Sequence, residues 1–207
     1  MVEQQIRTWD VLDQEVLDLL FKVRREDYVP AAYRELAFAD LEIPIGEGEL
    51  MWTPKLEARV VQALELRPDE SVLEVGTGSG YLCALLASRA ADVVSVEIQP
   101  KLAEEARAKL RRGTIANARV EIGDGAQGYG DAEYDAIVLT GSTPVLPDAW
   151  RKQLKPGGRL FAVVGDLPVM TARMLRWTAP GALASEDLFE TVVKPLRNAA
   201  HPRRFVF

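Results

Sequence analysis

Ser71-Val72-Leu73-Glu74-Val75-Gly76-Thr77-Gly78-Ser79-Gly80-Tyr81 is the stretch on which the fold of this chain turns. Its first five residues have the pattern of a buried strand and run straight into Gly76, Gly78 and Gly80, after which a helical pattern begins near Tyr81. Glycines at a strand-to-helix turn let backbone N–H groups come close to a ligand at a helix N-terminus, so a nucleotide-like occupant is expected; a plain tight turn is the alternative. The dinucleotide fingerprint is Gly-x-Gly-x-x-Gly/Ala. Here the third glycine comes one place early and Tyr81 stands at the fingerprint position, which argues against NAD.

Two further strand ends carry acids. Val93-Val94-Ser95-Val96-Glu97 places a carboxylate, followed by Ile98, where it can accept from both hydroxyls of a ribose. Val120-Glu121-Ile122-Gly123-Asp124-Gly125 ends in an acid between glycines, suited to an adenine amino group, although Asp124 also fits a simple turn former. Each of the three acids lies at the carboxyl edge of its strand, where sheets of this kind bind ligands.

The surrounding chain alternates between strand and helix patterns: strand 71–75, helix 79–90, strand 92–97, helix 100–112, strands 118–122 and 134–140, helix 146–153 and strand 158–164. The expected fold is α/β: a doubly wound, mostly parallel, seven-stranded Rossmann-like sheet. Residues 170–177 and 187–193 read as an antiparallel hairpin at its edge, in a region interrupted by Pro168, Pro180, Pro195 and Pro202. Upstream, Val16, Leu17, Leu19, Leu20 and Phe21 mark a helix over 13–23, and a second short helix follows Pro30 through Phe38. Thr53-Pro54 reads as an N-cap with proline at the first helical position, so residues 44–53 form a loop pinned by a helix. One domain over 1–207 is expected: a helical cap and substrate loop over 1–53, a cofactor-binding core over 54–165 and a sheet edge over 166–207.

Composition narrows the function. With 207 residues, 48 % of them hydrophobic, the chain is long enough for one full core. A formal charge of −6 gives no general attraction to nucleic acid, and Arg111-Arg112 and Arg203-Arg204 read as solvated surface. The one cysteine, Cys83, reads as helix core, and the one histidine, His201, as surface, which leaves neither a histidine triad nor a metal cluster in view. No apolar run is long enough for a membrane span and Met1-Val2-Glu3-Gln4-Gln5 has no signal-peptide core, so a cytoplasmic protein is expected. Asp135, opening the strand that leads to Thr140-Gly141-Ser142, reads as structural.

The chain resembles the protein L-isoaspartate O-methyltransferases, which methylate the abnormal carboxylate of isoaspartyl residues in damaged proteins. The resemblance is carried by Val23-Arg24-Arg25-Glu26-Asp27-Tyr28-Val29-Pro30, Ile43-Pro44-Ile45-Gly46, the glycine loop from Val72 to Tyr81, Gly123-Asp124-Gly125 and Gly157-Gly158-Arg159-Leu160. It implies S-adenosylmethionine as cofactor, held by Glu74, Gly76, Thr77, Gly78, Ser79, Gly80, Glu97, Ile98, Asp124 and Gly125. It also implies a peptide or protein substrate bearing isoaspartate.

The substrate loop departs from that family. Where the family reads Gly-Gln-Thr-Ile-Ser-x-Pro, with the serine implicated in catalysis, this chain has Gly48-Glu49-Leu50-Met51-Trp52-Thr53-Pro54. Trp52 and Thr53 are the candidates left at the catalytic position. Trp52 keeps one N–H donor but is bulkier, Thr53 has a hydroxyl already assigned to capping, and Glu49 brings a negative charge that disfavours a nearby carboxylate. Trp52 as packing and Glu49 as surface is the bland alternative. Three readings therefore stand: isoaspartyl methylation, a divergent methyltransferase with another acceptor, and a non-catalytic protein that binds the cofactor. NAD-dependent oxidoreduction is a fourth and weaker one.

Overall fold

The structure is a computed structural model that describes residues 6–179 and 182–202; Met1–Gln5, Pro180 and the Arg203-Arg204 pair lie outside the described residues. After a 3-10 turn at Arg7–Trp9 come α1 (Gln14–Lys22), two 3-10 turns (Arg25–Asp27 and Ala31–Leu36), the strands β1 (Ile43–Gly46) and β2 (Glu49–Met51), and α2 (Pro54–Leu64). Then follow β3 (Ser71–Val75), α3 (Tyr81–Ala87), β4 (Asp92–Glu97), α4 (Pro100–Arg112), β5 (Ala118–Ile122), β6 (Tyr134–Thr143), α5 (Asp148–Lys152), β7 (Leu154–Val164), β8 (Met170–Ala179) and β9 (Ala182–Thr191).

The seven-stranded sheet has the order β5-β4-β3-β6-β7-β8-β9. The first five strands in that row are parallel and β8 and β9 return antiparallel, as the hairpin reading anticipated. Period-two alternation decides the layers. Val72, Val93, Ala136 and Phe161 face a core shared with α1, α2, α3 and α4. Leu73, Val94, Ile137 and Leu160 face the other side, where Trp150 of α5 is the largest buried side chain. Among the described residues, no helix is long and apolar enough to cross a membrane.

Several boundaries differ from the sequence reading for local reasons. The helix expected over 79–90 covers only Tyr81–Ala87, because Gly80 sits at φ +82 and ends the loop before the helix can start. The segment after Pro30 is 3-10 rather than α-helical. The last strand begins at Ala182, five residues before the expected 187. Most consequential, the loop expected over 44–53 contains the β1-β2 hairpin, closed by Glu47 (φ +53) and Gly48 (φ +76), a two-residue turn with both central φ positive. Ile43 and Ile45 bury on one face of it while Pro44 stays exposed, an alternation present in the sequence but too short to stand out.

Candidate functional site

The register brings the predicted acids to one edge. Leu139, Val75, Val96 and Glu121 lie in one row across β6, β3, β4 and β5, so Thr140, Gly76, Glu97 and Ile122 form the next step along the carboxyl edge. Gly76, at φ +96, has no room for a side chain: a Cβ there would lie 2.2 Å from Thr140 Oγ1. Thr140 Oγ1 in turn bonds the carbonyls of Val75 (2.8 Å) and Gly76 (2.6 Å), tying β6 to the loop.

The glycine loop differs in one respect from its sequence reading. Most of its N–H groups are engaged within the protein. Gly76 N and Thr77 N donate to Val96 O, Gly78 N to Glu97 Oε2 at 2.8 Å, Gly80 N to Thr77 O, and Tyr81 N to Ser79 Oγ. A loop whose donors are engaged inward makes a poor phosphate cradle, because that role needs N–H groups turned outward. This separates the site from a dinucleotide pyrophosphate site on geometry as well as on spacing.

Glu97 is buried and accepts once at each oxygen, from Gly78 N and from Gln99 N at 2.9 Å. A carboxylate has about four lone-pair sites, so capacity for a pair of hydroxyls remains. Ile98 lines the same cleft. Glu74 lies beneath the loop, fully buried, with Ser95 Oγ donating to Oε2 and no partner at Oε1. Burial pushes its carboxyl up to about 8, against the opposing bonds from Ser95 and Cys83. Glu74 thus holds a proton at neutral pH, and Cys83, read as helix core, is buried but also faces this acid. Thr77 Oγ1 and Ser95 Oγ lie 2.5 Å apart and complete the buried network.

Asp124 is exposed, and both of its carboxylate oxygens have protein partners. Oδ1 accepts from Ala126 N in a local turn, and Oδ2 accepts from Asn198 Nδ2 at 2.8 Å. Gly125 is close-packed, since a Cβ there would fall 2.7 Å from Val75.

The opposite wall of the cleft is built by the β1-β2 hairpin. Its foundation is Arg25, from the segment that reads as a family signature. Arg25 is 1 % exposed, donates to Ala37 O (2.8 Å) and Trp52 O (2.5 Å), pairs with buried Glu57 of α2, and lies over the Tyr81 ring. Burial lowers it to about 10, so it stays charged at neutral pH. Trp52, locked by its carbonyl, is 6 % exposed and packs edge-on against Phe161, while still bordering the cleft with Gly76, Glu97 and Thr140. Thr53 Oγ1 accepts from Leu56 N at 3.4 Å and caps α2 as expected.

Glu49 departs from the sequence reading, which took it as an uncompensated charge or a surface acid. Lys194 Nζ reaches Glu49 Oε2 at 2.8 Å and Arg197 reaches Oε1 at 2.8 Å. These cations sit on a C-terminal strap that pairs with β6 through Ser142 N to Lys194 O and Leu196 N to Ser142 O. The strap also touches Gly76 through Leu196, Gln99 through Arg197 when the Gln99 amide oxygen faces it, and Asp124 through Asn198. Arg25, Lys194 and Arg197 have no individual role in the sequence reading, because each is placed by contacts remote along the chain.

Comparison with known proteins accords with this geometry. The family model described as Protein-L-isoaspartate(D-aspartate) O-methyltransferase (PCMT) matches residues 1–193. A relative from Methanoculleus marisnigri named Protein-L-isoaspartate O-methyltransferase is 46 % identical over 166 residues, covering 80 % of this chain and 76 % of its own. One of the same name from Methylorubrum populi is 38 % identical over 197 residues, covering 95 % and 92 %. A solved protein-L-isoaspartate O-methyltransferase superposes with a TM-score of 0.78 at 25 % identity, covering 94 % of this chain and 65 % of that one. The Plasmodium falciparum protein solved with S-adenosyl-L-homocysteine shares the fold, with a TM-score of 0.79 at 19 % identity over 93 % of this chain and 95 % of that one. The chain belongs to the protein-L-isoaspartate(D-aspartate) O-methyltransferase family, whose methyl donor is S-adenosylmethionine.

Proposed function

We propose that this chain, acting as a single domain in the cytoplasm, repairs damaged proteins by methylating the carboxylate of their isoaspartyl residues. The observation that carries the reading is the meeting of two walls at one cleft, the glycine loop with Glu97 on one side and the Trp52 hairpin on the other. Glu97 is suited to the ribose, Asp124 to the adenine, and Gly76, Thr77, Gly78, Ser79 and Gly80 to the amino-acid end, with Glu74 beneath and Ile98 and Gly125 packing alongside. The fit is with a ligand rich in polar groups: Glu97 keeps lone pairs free for a pair of hydroxyls, and the buried Glu74 Oε1 beneath the loop lacks a partner that a ligand can supply.

Bound S-adenosylmethionine supplies a methyl group on a sulfonium, which a carboxylate oxygen takes to form an ester while the sulfur keeps the electron pair of the broken bond. An acceptor carboxylate with a pKa of about 4 is already ionised at neutral pH, so no general base is needed from the chain. The protein's contribution is alignment and exclusion of water. Trp52 supports this by closing the apolar wall of the cleft, and Arg25 by fixing the Trp52 carbonyl.

The test is transfer of labelled methyl to an isoaspartyl peptide, with the base-labile ester as product. Ester above the no-enzyme blank is expected. Its absence, with a serine-containing relative active in the same assay, overturns the reading. The replacement of a hydroxyl by the Trp52 ring favours a second reading, an altered acceptor, and methyl transfer to an aromatic, neutral or amine-bearing compound in preference to the peptide would establish it.

A further inference from the structure

We propose that Lys194 and Arg197 recruit the acceptor's carboxylate, and that Glu49 tempers them so that the carboxylate is attracted without being gripped. This rests on the isoaspartyl reading above. Among the described residues lining the cleft between hairpin and glycine loop, the cations are Lys194 and Arg197, and the carboxylates are Glu42, Glu49 and Glu97. An anionic acceptor entering without the two cations would meet three acids. The two cations pair Glu49, while Glu97 is bonded separately by the N–H groups of Gly78 and Gln99.

Donor inventory points the same way. Thr140 Oγ1 gives its hydrogen to loop carbonyls, and the family's serine is replaced by Trp52. Lys194 Nζ carries three N–H groups, of which Gly48 O and Glu49 Oε2 engage two, and its side chain is 41 % exposed. One donor is left for an incoming anion.

The third member of the cluster follows from the charge change of the reaction. Methyl transfer neutralises the acceptor carboxylate, so a full positive charge held against it stabilises the starting complex more than the transition state. Cations shared with Glu49 still draw an anion to the mouth of the cleft but hold it less firmly. Rim charges of this kind act on encounter and salt dependence more than on the chemical step.

The experiment measures an isoaspartyl peptide in two ways: calorimetric binding in the presence of S-adenosylhomocysteine, and steady-state methyl transfer. For Lys194→Met, Kd and KM rise about fivefold, kcat moves less than about twofold, and the dependence of KM on salt flattens. Lys194→Arg restores both constants, and Arg197→Met acts in the same direction as Lys194→Met. Glu49→Gln, which frees the cations, lowers Kd and KM about threefold and lowers kcat with them. Unchanged peptide affinity in both Met variants overturns the proposal, whether or not methyl ester forms. So does a loss of S-adenosylhomocysteine affinity equal to the loss for peptide with the salt slope intact, which marks a loosened strap. Peptide binding that depends on Lys194 without any ester formed supports recruitment and overturns the isoaspartyl reading alone.

Discussion

The two walls of the cleft are held by opposite means. On the cofactor side, Glu74, Ser95, Thr77 and Glu97 are all buried, and they come from two neighbouring parallel strands and the turn between them. On the acceptor side, the hairpin rests on one buried arginine, while its tip is tied to the strap by Lys194 and Arg197, 41 % and 44 % exposed. Buried polar networks with few degrees of freedom fix a geometry, whereas exposed ion pairs contribute little stability and exchange partners readily. The contrast implies a rigid cofactor site facing a wall whose rim adjusts to a protein substrate.

Removing the foundation of the acceptor wall should break the contrast most. Arg25→Met leaves Glu57 buried and unpaired, a loss of about 3–5 kcal/mol in denaturant melts, and Arg25→Met with Glu57→Met together should recover much of it. Acceptor turnover should suffer more than S-adenosylhomocysteine affinity, since Arg25 hydrogen-bonds the Trp52 carbonyl and meets the glycine-loop side only through the Tyr81 ring and Glu57; equal losses would show that the walls are one unit.

The rigid wall is tested by Gly76→Ala. The new Cβ collides with Thr140 Oγ1 at φ +96, so cofactor affinity should fall by about 100-fold, or about 2.7 kcal/mol in a calorimetric titration. Thr140→Ala in the same protein should relieve the collision but not the backbone strain.

Glu74 offers a pH signature. Its folded pKa is raised above the unfolded carboxylate value, so the folded state holds a proton that the unfolded state has lost. Stability from this group is therefore present below about pH 4.5 and declines as pH rises toward about 8, by about 1.4 kcal/mol per pH unit. Glu74→Gln should remove that decline in melts between pH 5 and 8, and an unchanged slope would mean the acid is ionised in the fold. The smallest effect belongs to Thr53→Ala, a lost helix cap worth about 1 kcal/mol. If kcat on the acceptor falls 100-fold instead, the Thr53 hydroxyl acts on substrate and the wall is less adjustable than its rim implies.

Legibility followed the same divide. The strand ends, the hairpin at the sheet edge and the Thr53 cap were readable because alternation, glycine spacing and capping are properties of neighbouring residues. The β1-β2 hairpin was missed because strands of four and three residues show too little alternation to separate from a loop. Glycine spacing reports that the backbone turns, not which way its donors face, so the inward bonds of Gly76, Thr77, Gly78 and Gly80 are visible only in the fold.

By itself the sequence determined the layered sheet, the glycine turn at its carboxyl edge, the acids Glu97 and Asp124 on the neighbouring strand ends, and a tryptophan at position 52 of the substrate loop. Only the tertiary structure decided what surrounds Glu49. Its partners lie 145 and 148 residues away along the chain, on a strap placed by its pairing with β6. Local patterns encode conformation, but the field at a charged group depends on whatever the fold brings within a few ångströms of it, and that is not written near the group in sequence.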